Sequence, residues 1–224
     1  MTLLSSSRER PIYLLGCGGH GRVVLDCLLM CGMPVAGIVD AALARGSLVD
    51  GVPVLGGDEC LGRLDPQMVS VCLGVGVMPG ESRRAELFDN CKISGFQFVS
   101  IFHPSATISS RHEFGVGIQV LAGAVVQVGV RLGDNVILNT RASVDHDCMI
   151  EKDVMIGPGA VICGQVSIGA GAYVGAGAVI LPGVCLGPQA IVGAGSVVIK
   201  DVAKGEKVVG NPAAQHDLAG MKNA

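Results

Sequence analysis

The chain has 224 residues, a formal net charge of −3, half of its residues hydrophobic, 3% aromatic and no tryptophan. That length suggests one or two domains, and the slightly acidic balance gives no reason to expect nucleic acid as a partner. No run of about 18 apolar residues is present, and Met1 to Arg10 is polar without the apolar stretch of a signal peptide, so no membrane insertion and a cytoplasmic location are expected. Nine cysteines, an odd number with no C-x-x-C, fit free thiols in a reducing compartment.

Residues 1–100 read as a small α/β unit. Ile12 to Leu15 is a short apolar strand, Gly16 to Gly21 a glycine turn, and His20 to Cys31 a helix with Val23, Val24, Cys27, Leu28 and Cys31 inward. Val35 to Val39 is a second strand ending at Asp40, and Val69 to Leu73 a later one, with glycines 74 and 76 marking the loop at its end. Arg83 to Cys91 is helical, and Phe96 to Ser100 leads onward. Strand, helix, strand in this order predicts a parallel sheet of Rossmann type, and the segment is too short for a full six-stranded dinucleotide fold.

Gly16-Cys17-Gly18-Gly19-His20-Gly21 satisfies G-x-G-x-x-G between a strand and a helix. Glycines there let a diphosphate approach the backbone at a helix N-terminus. Asp40, at the end of the next strand, can accept hydrogen bonds from ribose hydroxyls. A plain glycine turn, with Asp40 capping the loop that follows it, is the other reading.

Residues 101–215 obey a different rule. From Ile108 to Val198 an apolar side chain stands at every sixth position without a slip, usually with a small or β-branched residue two places earlier. The position after it is often glycine, as at Gly115, Gly133, Gly157, Gly169, Gly175, Gly187 and Gly193, which suggests a corner with an unusual backbone angle. A six-residue period belongs to a parallel β-helix of hexapeptide repeats. Splitting the series by three sorts the glycines onto two of three lines, which predicts an 18-residue turn. Residues 216–224 are expected to form a C-terminal tail.

Asn139-Thr140-Arg141-Ala142-Ser143-Val144-Asp145-His146-Asp147 carries the chemical candidate. An imidazole can take a proton near neutral pH, and Asp147 or Asp145 could orient it. Gly164, 18 residues on, falls one rung away, where its amide could face an oxyanion. An exposed surface pair is the alternative.

With these residues in view, the chain resembles the bacterial nucleotide-aminosugar N-acetyltransferases and the sialic-acid O-acetyltransferases grouped with them. The likeness rests on the GCGGHG turn, Asp40, the NTRASVDHD segment and the hexapeptide coil ending in Val208-Val209-Gly210-Asn211-Pro212-Ala213. It implies an N-terminal sugar-nucleotide domain, a left-handed β-helix, acetyl-CoA as co-substrate with no metal, and a homotrimer with active sites between subunits. It further implies His146 as general base and Asp147 as its partner, with Gly18, Gly19, His20, Asp40, Gly76 and Asn139 toward the nucleotide sugar. Met155, Gly164, Ala176 and Ala194 fall toward the coenzyme, where Lys200, Lys204 and Lys207 could also meet phosphates.

The chain departs from the family pattern at Met155, where relatives often carry histidine, at Ala41, and in the loop from Gly76 to Arg83, which lacks an asparagine-rich run. The expected reaction is acetyl transfer from acetyl-CoA to the amino group of a nucleotide-linked 4-amino-4,6-dideoxy sugar. O-acetylation of sialic acid is the closest rival, followed by a non-enzymatic trimer scaffold and an NAD oxidoreductase. A β-helical carbonic anhydrase would need three histidines around zinc, and the coil offers only His112 and His146, with His103 just outside it.

Overall fold

The computed structural model describes residues 10–216; residues 217–224 of the expected tail lie outside them. Two compact units divide the chain, one comprising residues up to 77 with 81–104, the other 78–80 with the residues from 105 onward.

In the first unit the strands are β1 (Ile12–Leu15), β2 (Val35–Val39), β3 (Leu48–Val49), β4 (Val52–Gly56), β5 (Ser70–Leu73) and β6 (Gln97–Phe98), in sheet order β3-β4-β2-β1-β5-β6. The helices are α1 (Gly19–Met30) and α2 (Arg83–Ile93), with a 3-10 turn at Asp58–Arg63. Every pairing is parallel except β3 with β4. β1 lies centrally between β2 and β5, so the glycine turn leaves its C-terminal end where an α/β sheet opens its crevice. Leu15, Val39, Val71, Leu73, Phe88 and Phe96 form one side of the core, with Phe88 stacked on Phe98 at 4.1 Å.

Three sequence expectations need correction here. The sheet does have six strands, because two edge strands of two residues each suffice to extend it. The β3–β4 hairpin, absent from the strands expected above, turns at Asp50-Gly51, both at positive φ, which is an Asp-Gly hairpin signal. On α1 the inward stripe is Val24, Leu25, Cys27 and Leu28, whereas Val23 is exposed. The stripe therefore sits one residue further round the helix than predicted.

The second unit is a parallel β-helix. Sixteen two-residue strands run from Thr107–Ile108 to Val197–Val198, and each pairs with the strand 18 residues away. One face stacks Val126, Val144, Ile162, Ile180 and Val198; the next stacks Leu132, Ile150, Ile168 and Leu186; the third stacks Val120, Leu138, Ile156, Val174 and Val192. These second strand residues point inward and are buried, as are Ala124, Ala142, Ala160, Ala172, Ala178 and Ala190 two places before them. Small corner residues leave room for the branched ones, which lets a coil without tryptophan close to a dry core. The strand Lys207–Gly210 extends the third face and pairs antiparallel with Ala213–Gln215.

The corner glycines act differently from the expectation. None of those that follow the apolar position has positive φ. A Cβ on Gly133, Gly157, Gly169, Gly175 or Gly187 would come within 2.5–2.7 Å of a backbone nitrogen in the next coil, so close approach excludes a side chain there. The left-handed position lies two residues later, at Gly117, Gly123, Gly129, Gly159, Gly171, Gly177, Gly183 and Gly195, and is filled elsewhere by Asn135, Arg141, Asp147, Asp153, Gln165 and Gln189.

Candidate active site

His146 stands on the corner between the first and second faces, two residues after the end of strand Ser143–Val144. The backbone clamps it from both sides. Its carbonyl accepts from the Gln165 amide one rung on, at 2.9 Å, and the Asp147 amide donates to the Val128 carbonyl one rung back, at 3.0 Å. Its own amide donates to Asp145 Oδ1 at 2.7 Å.

The ring is held by Asp147, whose Oδ2 lies 2.9 Å from Nδ1. The spacing alone had left Asp145 and Asp147 as rival partners; in the fold Asp145 turns to the backbone and Asp147 takes the ring. Asp147 sits in the left-handed region at φ 57°, which aspartate tolerates and which brings its carboxylate back beside its neighbour. With Asp147 ionised, Nδ1 carries the ring proton and Nε2 presents a lone pair. The hydrogen bond to Asp147 raises the His146 pKa above the ordinary histidine value, the Asp145 and Asp147 charges add to it, and desolvation opposes it. Both side chains are about half exposed, at 48% and 61%.

Two glycines shape this corner. A Cβ on Gly164 would fall 2.5 Å from His146 Nε2, so the ring packs on bare backbone. A Cβ on Gly129 would fall 2.3 Å from Asp147 Oδ1. Sequence reasoning found the first and missed the second, although Gly129 lies 18 residues before Asp147 as Gly164 lies 18 after His146. The Gly164 amide donates to no described residue, and the same holds for Ala176 and Ala194. A cavity of about 350 Å3 adjoins Asp147, lined by Arg111, His112, Glu113, Gly129, Val130 and Arg131.

The remaining predicted residues divide by place. Asn139, Ala176 and Ala194 share a different corner of the coil, between the third and first faces; both alanines are exposed, and Asn139 Oδ1 accepts from the Thr140 amide at 2.7 Å. Met155 is buried on the third face, between Ile137 and Tyr173. A single chain therefore does not gather these residues around His146. Lys200 and Lys204 are exposed and Lys207 partly so. Among the described residues no group of three or more His, Cys, Asp or Glu side chains could hold a metal ion.

In the first unit, Gly18 and Gly19 are exposed with open space where a side chain would stand, and no side chain caps α1. Gly21 and Gly74 are packing glycines: a Cβ on either would run into the Gly16 carbonyl oxygen, at 2.4 and 1.9 Å. Gly76 stands against His20. Asp40 spans the turn, its Oδ2 accepting from the Cys17 amide at 2.6 Å and its Oδ1 from the Ala42 amide at 2.8 Å. It thus ties the glycine turn to the loop after β2, and each oxygen keeps a second lone pair.

The nine cysteines are all free, and six are buried. Burial pushes the Cys27 thiol up to about 12 and the Cys148 thiol to about 11. No described helix is long and apolar enough to cross a membrane.

Comparison with known proteins places both units. The PglD N-terminal domain family matches residues 11–90, and the bacterial transferase hexapeptide repeat matches residues 129–164, 147–182 and 165–200. GDP-perosamine N-acetyl transferase from Caulobacter crescentus, solved as a histidine-to-alanine mutant with CoA and GDP-perosamine, is 37% identical with a TM-score of 0.86, over 92% of this chain and 97% of that one. The acetyltransferase domain of PglB from Neisseria gonorrhoeae, in complex with acetyl coenzyme A, is 36% identical with a TM-score of 0.85, over 93% and 100% of the two chains. WeeI from Acinetobacter baumannii is 27% identical with a TM-score of 0.82, over 92% and 100%. The coil is the left-handed β-helix of hexapeptide transferases. The chain belongs to the hexapeptide-repeat acetyltransferases, in the family of the bacterial nucleotide-aminosugar N-acetyltransferases.

Proposed function

We propose that the protein transfers an acetyl group from acetyl-CoA to the amino group of a nucleotide-linked 4-amino-4,6-dideoxy sugar by direct attack. The observation that carries the reading is the oriented imidazole: Asp147 holds Nδ1 at 2.9 Å, and Nε2 lies against Gly164 on an exposed corner. The Caulobacter crescentus enzyme, similar over nearly its whole length, is a GDP-perosamine N-acetyl transferase held with CoA and GDP-perosamine, an amino sugar on a nucleotide.

In this reading the amine nitrogen forms the bond to the thioester carbonyl carbon while His146 Nε2 removes its proton. Asp147 keeps the ring in the required tautomer and stabilises the imidazolium. The Gly164 amide, which donates to no described residue, faces the oxyanion of the tetrahedral intermediate. Collapse breaks the carbon–sulfur bond, and the proton on Nε2 passes to the departing thiolate. Ala176 and Ala194 offer backbone amides to the pantetheine arm, with Met155 toward the acetyl end. Gly18, Gly19, His20, Asp40 and Gly76 hold the nucleotide, and Asn139 the sugar.

The working form is a homotrimer. The dyad and the alanine pair occupy two corners of one chain separated by a face whose outward residues include Val125, Val161, Val179 and Val197. Packing such faces together buries that apolar stripe and brings the alanine corner of one copy to the dyad corner of the next. Replacing His146 with alanine is expected to lower turnover by about 10²- to 10⁴-fold with nucleotide-sugar affinity unchanged, measured by thiol release and calorimetry. Full activity in that variant would end the assignment.

A further inference from the structure

We propose that Gly129 is a positioning residue for the acetyl transfer: the room left by its missing side chain is the slot in which the Asp147 carboxylate lies when it holds His146. This rests on the reading of His146 as the base. Asp147 has one oxygen on the ring, Oδ2 at 2.9 Å from Nδ1, and the other over Gly129, where a Cβ would stand 2.3 Å from Oδ1, 3.3 Å from Cγ and 3.4 Å from the Asp147 amide nitrogen. Both carboxylate oxygens are therefore fixed, one by the imidazole and one by the absence of a methyl group.

A methyl group at 129 cannot be met by shifting the corner backbone, because that backbone is tied on both sides. The Gly129 amide donates to the Arg111 carbonyl at 2.8 Å and the Asp147 amide to the Val128 carbonyl at 3.0 Å. The carboxylate must swing instead, and rotation about its own side chain carries Oδ2 away from Nδ1. Glycine is not demanded by the backbone angle alone. Gly129 has φ 77°, but the equivalent corner position six residues later is Asn135 at φ 61°, and Asp147 itself occupies the next rung at φ 57°. Asn135 also has a carboxylate one rung on, but it donates to Asp153 Oδ1 at 2.8 Å; what separates position 129 is that the carboxylate over it is turned onto a histidine ring.

The experiment is a double-mutant cycle on the full-length enzyme with acetyl-CoA and the nucleotide amino sugar that it accepts. Gly129→Ala is expected to lower kcat by about 10- to 100-fold, the effect of a displacement near 1 Å in a catalytic group, with KM for acetyl-CoA within about twofold. In the Asp147→Asn background the same substitution is expected to cost nothing further, because the slot no longer serves an ionised partner. By NMR, the His146 pKa, which Asp147 and Asp145 both support, falls in Gly129→Ala toward the ordinary histidine value. Gly171→Ala, at a left-handed glycine on another corner with only the Gln189 side chain nearby at 3.6 Å, retains wild-type turnover and supplies the matched backbone control. If Gly129→Ala does not fold, Gly129→Asn takes its place, since asparagine tolerates the left-handed region.

An activity within twofold of wild type in Gly129→Ala, an equal loss in Gly171→Ala, or full additivity with Asp147→Asn would overturn the inference. Failure of the underlying reading looks different: His146→Ala would then keep its activity.

Discussion

At residue scale, the corner assigns its three acidic and basic groups by geometry. Asp145 spends one oxygen on the His146 amide, while Asp147, turned by its left-handed φ, reaches the ring. The fold thereby favours protonated His146, and the sign of two pH effects follows. The stability contributed by that proton is present below the unfolded-state pKa and is lost as pH rises through the raised folded value. With His146 as the proposed base, activity is expected to run the other way, since the base must be neutral: the rate climbs with pH through an apparent pKa above that of an ordinary histidine. Asp147→Asn is expected to move this limb to lower pH and to reduce the plateau, so the deficit against wild type narrows at acid pH. A pH profile of kcat/KM for the two proteins reads both changes, and an unmoved limb would separate Asp147 from the ring's basicity.

At element scale, the β-helix uses glycine for two unrelated purposes on the same corner. Directly after the apolar residue, as at Gly133, Gly157, Gly169, Gly175 and Gly187, glycine admits the backbone of the next coil, and two residues later, as at Gly117, Gly159 and Gly183, it supplies positive φ. Asparagine separates the two. At Gly183, open and at φ 72°, asparagine is expected to be tolerated within about 0.5 kcal/mol. At Gly133, where a Cβ would lie 2.5 Å from the Lys152 nitrogen, it is expected to cost about 1–3 kcal/mol, seen as a lower thermal midpoint. Equal midpoints would refute the close-approach account.

The same columns show what was legible in the sequence and what was not. The six-residue period and its grouping by three dictated strand positions, coil length and inward residues, because one buried line per face leaves no freedom of register. The purpose of the glycines was misjudged since both purposes select the same residue. The other occupants hold the missing signal: Leu121, Leu181 and Ile199 follow apolar positions and are poor candidates for positive φ, whereas Asn135, Asp147 and Asp153 two places later are good ones. His146, Asp147 and Gly164 were legible as a spacing of one coil. Gly129 was not, because its role depends on where a carboxylate oxygen points. The β3–β4 hairpin escaped for a plainer reason: β3 has only two residues and Pro53 interrupts its partner, so alternation had almost nothing to register.

At the scale of the whole molecule, the proposed site draws on the dyad corner and the alanine corner, which a single chain keeps apart. The account predicts a trimer by light scattering whose sites draw on two chains. Chains carrying His146→Ala and chains carrying Ala176→Trp are each expected to be inactive alone. Unfolded and refolded together they should regain activity well above the sum of the two, because some interfaces then pair an intact dyad with an intact alanine corner. No recovery in verified mixed trimers would place the whole site within one chain.

The central claim is a histidine-driven N-acetylation of a nucleotide amino sugar, and thiol release from acetyl-CoA tests it most directly. The panel is UDP-, GDP- and dTDP-linked 4-amino sugars, GDP-perosamine among them, their 4-hydroxy analogues, and free sialic acid, each with wild-type and His146→Ala protein. The account predicts release with an amino-sugar nucleotide, none with its hydroxy analogue, and loss of at least about 100-fold in the variant. Release with sialic acid alone, or undiminished release without His146, would contradict it.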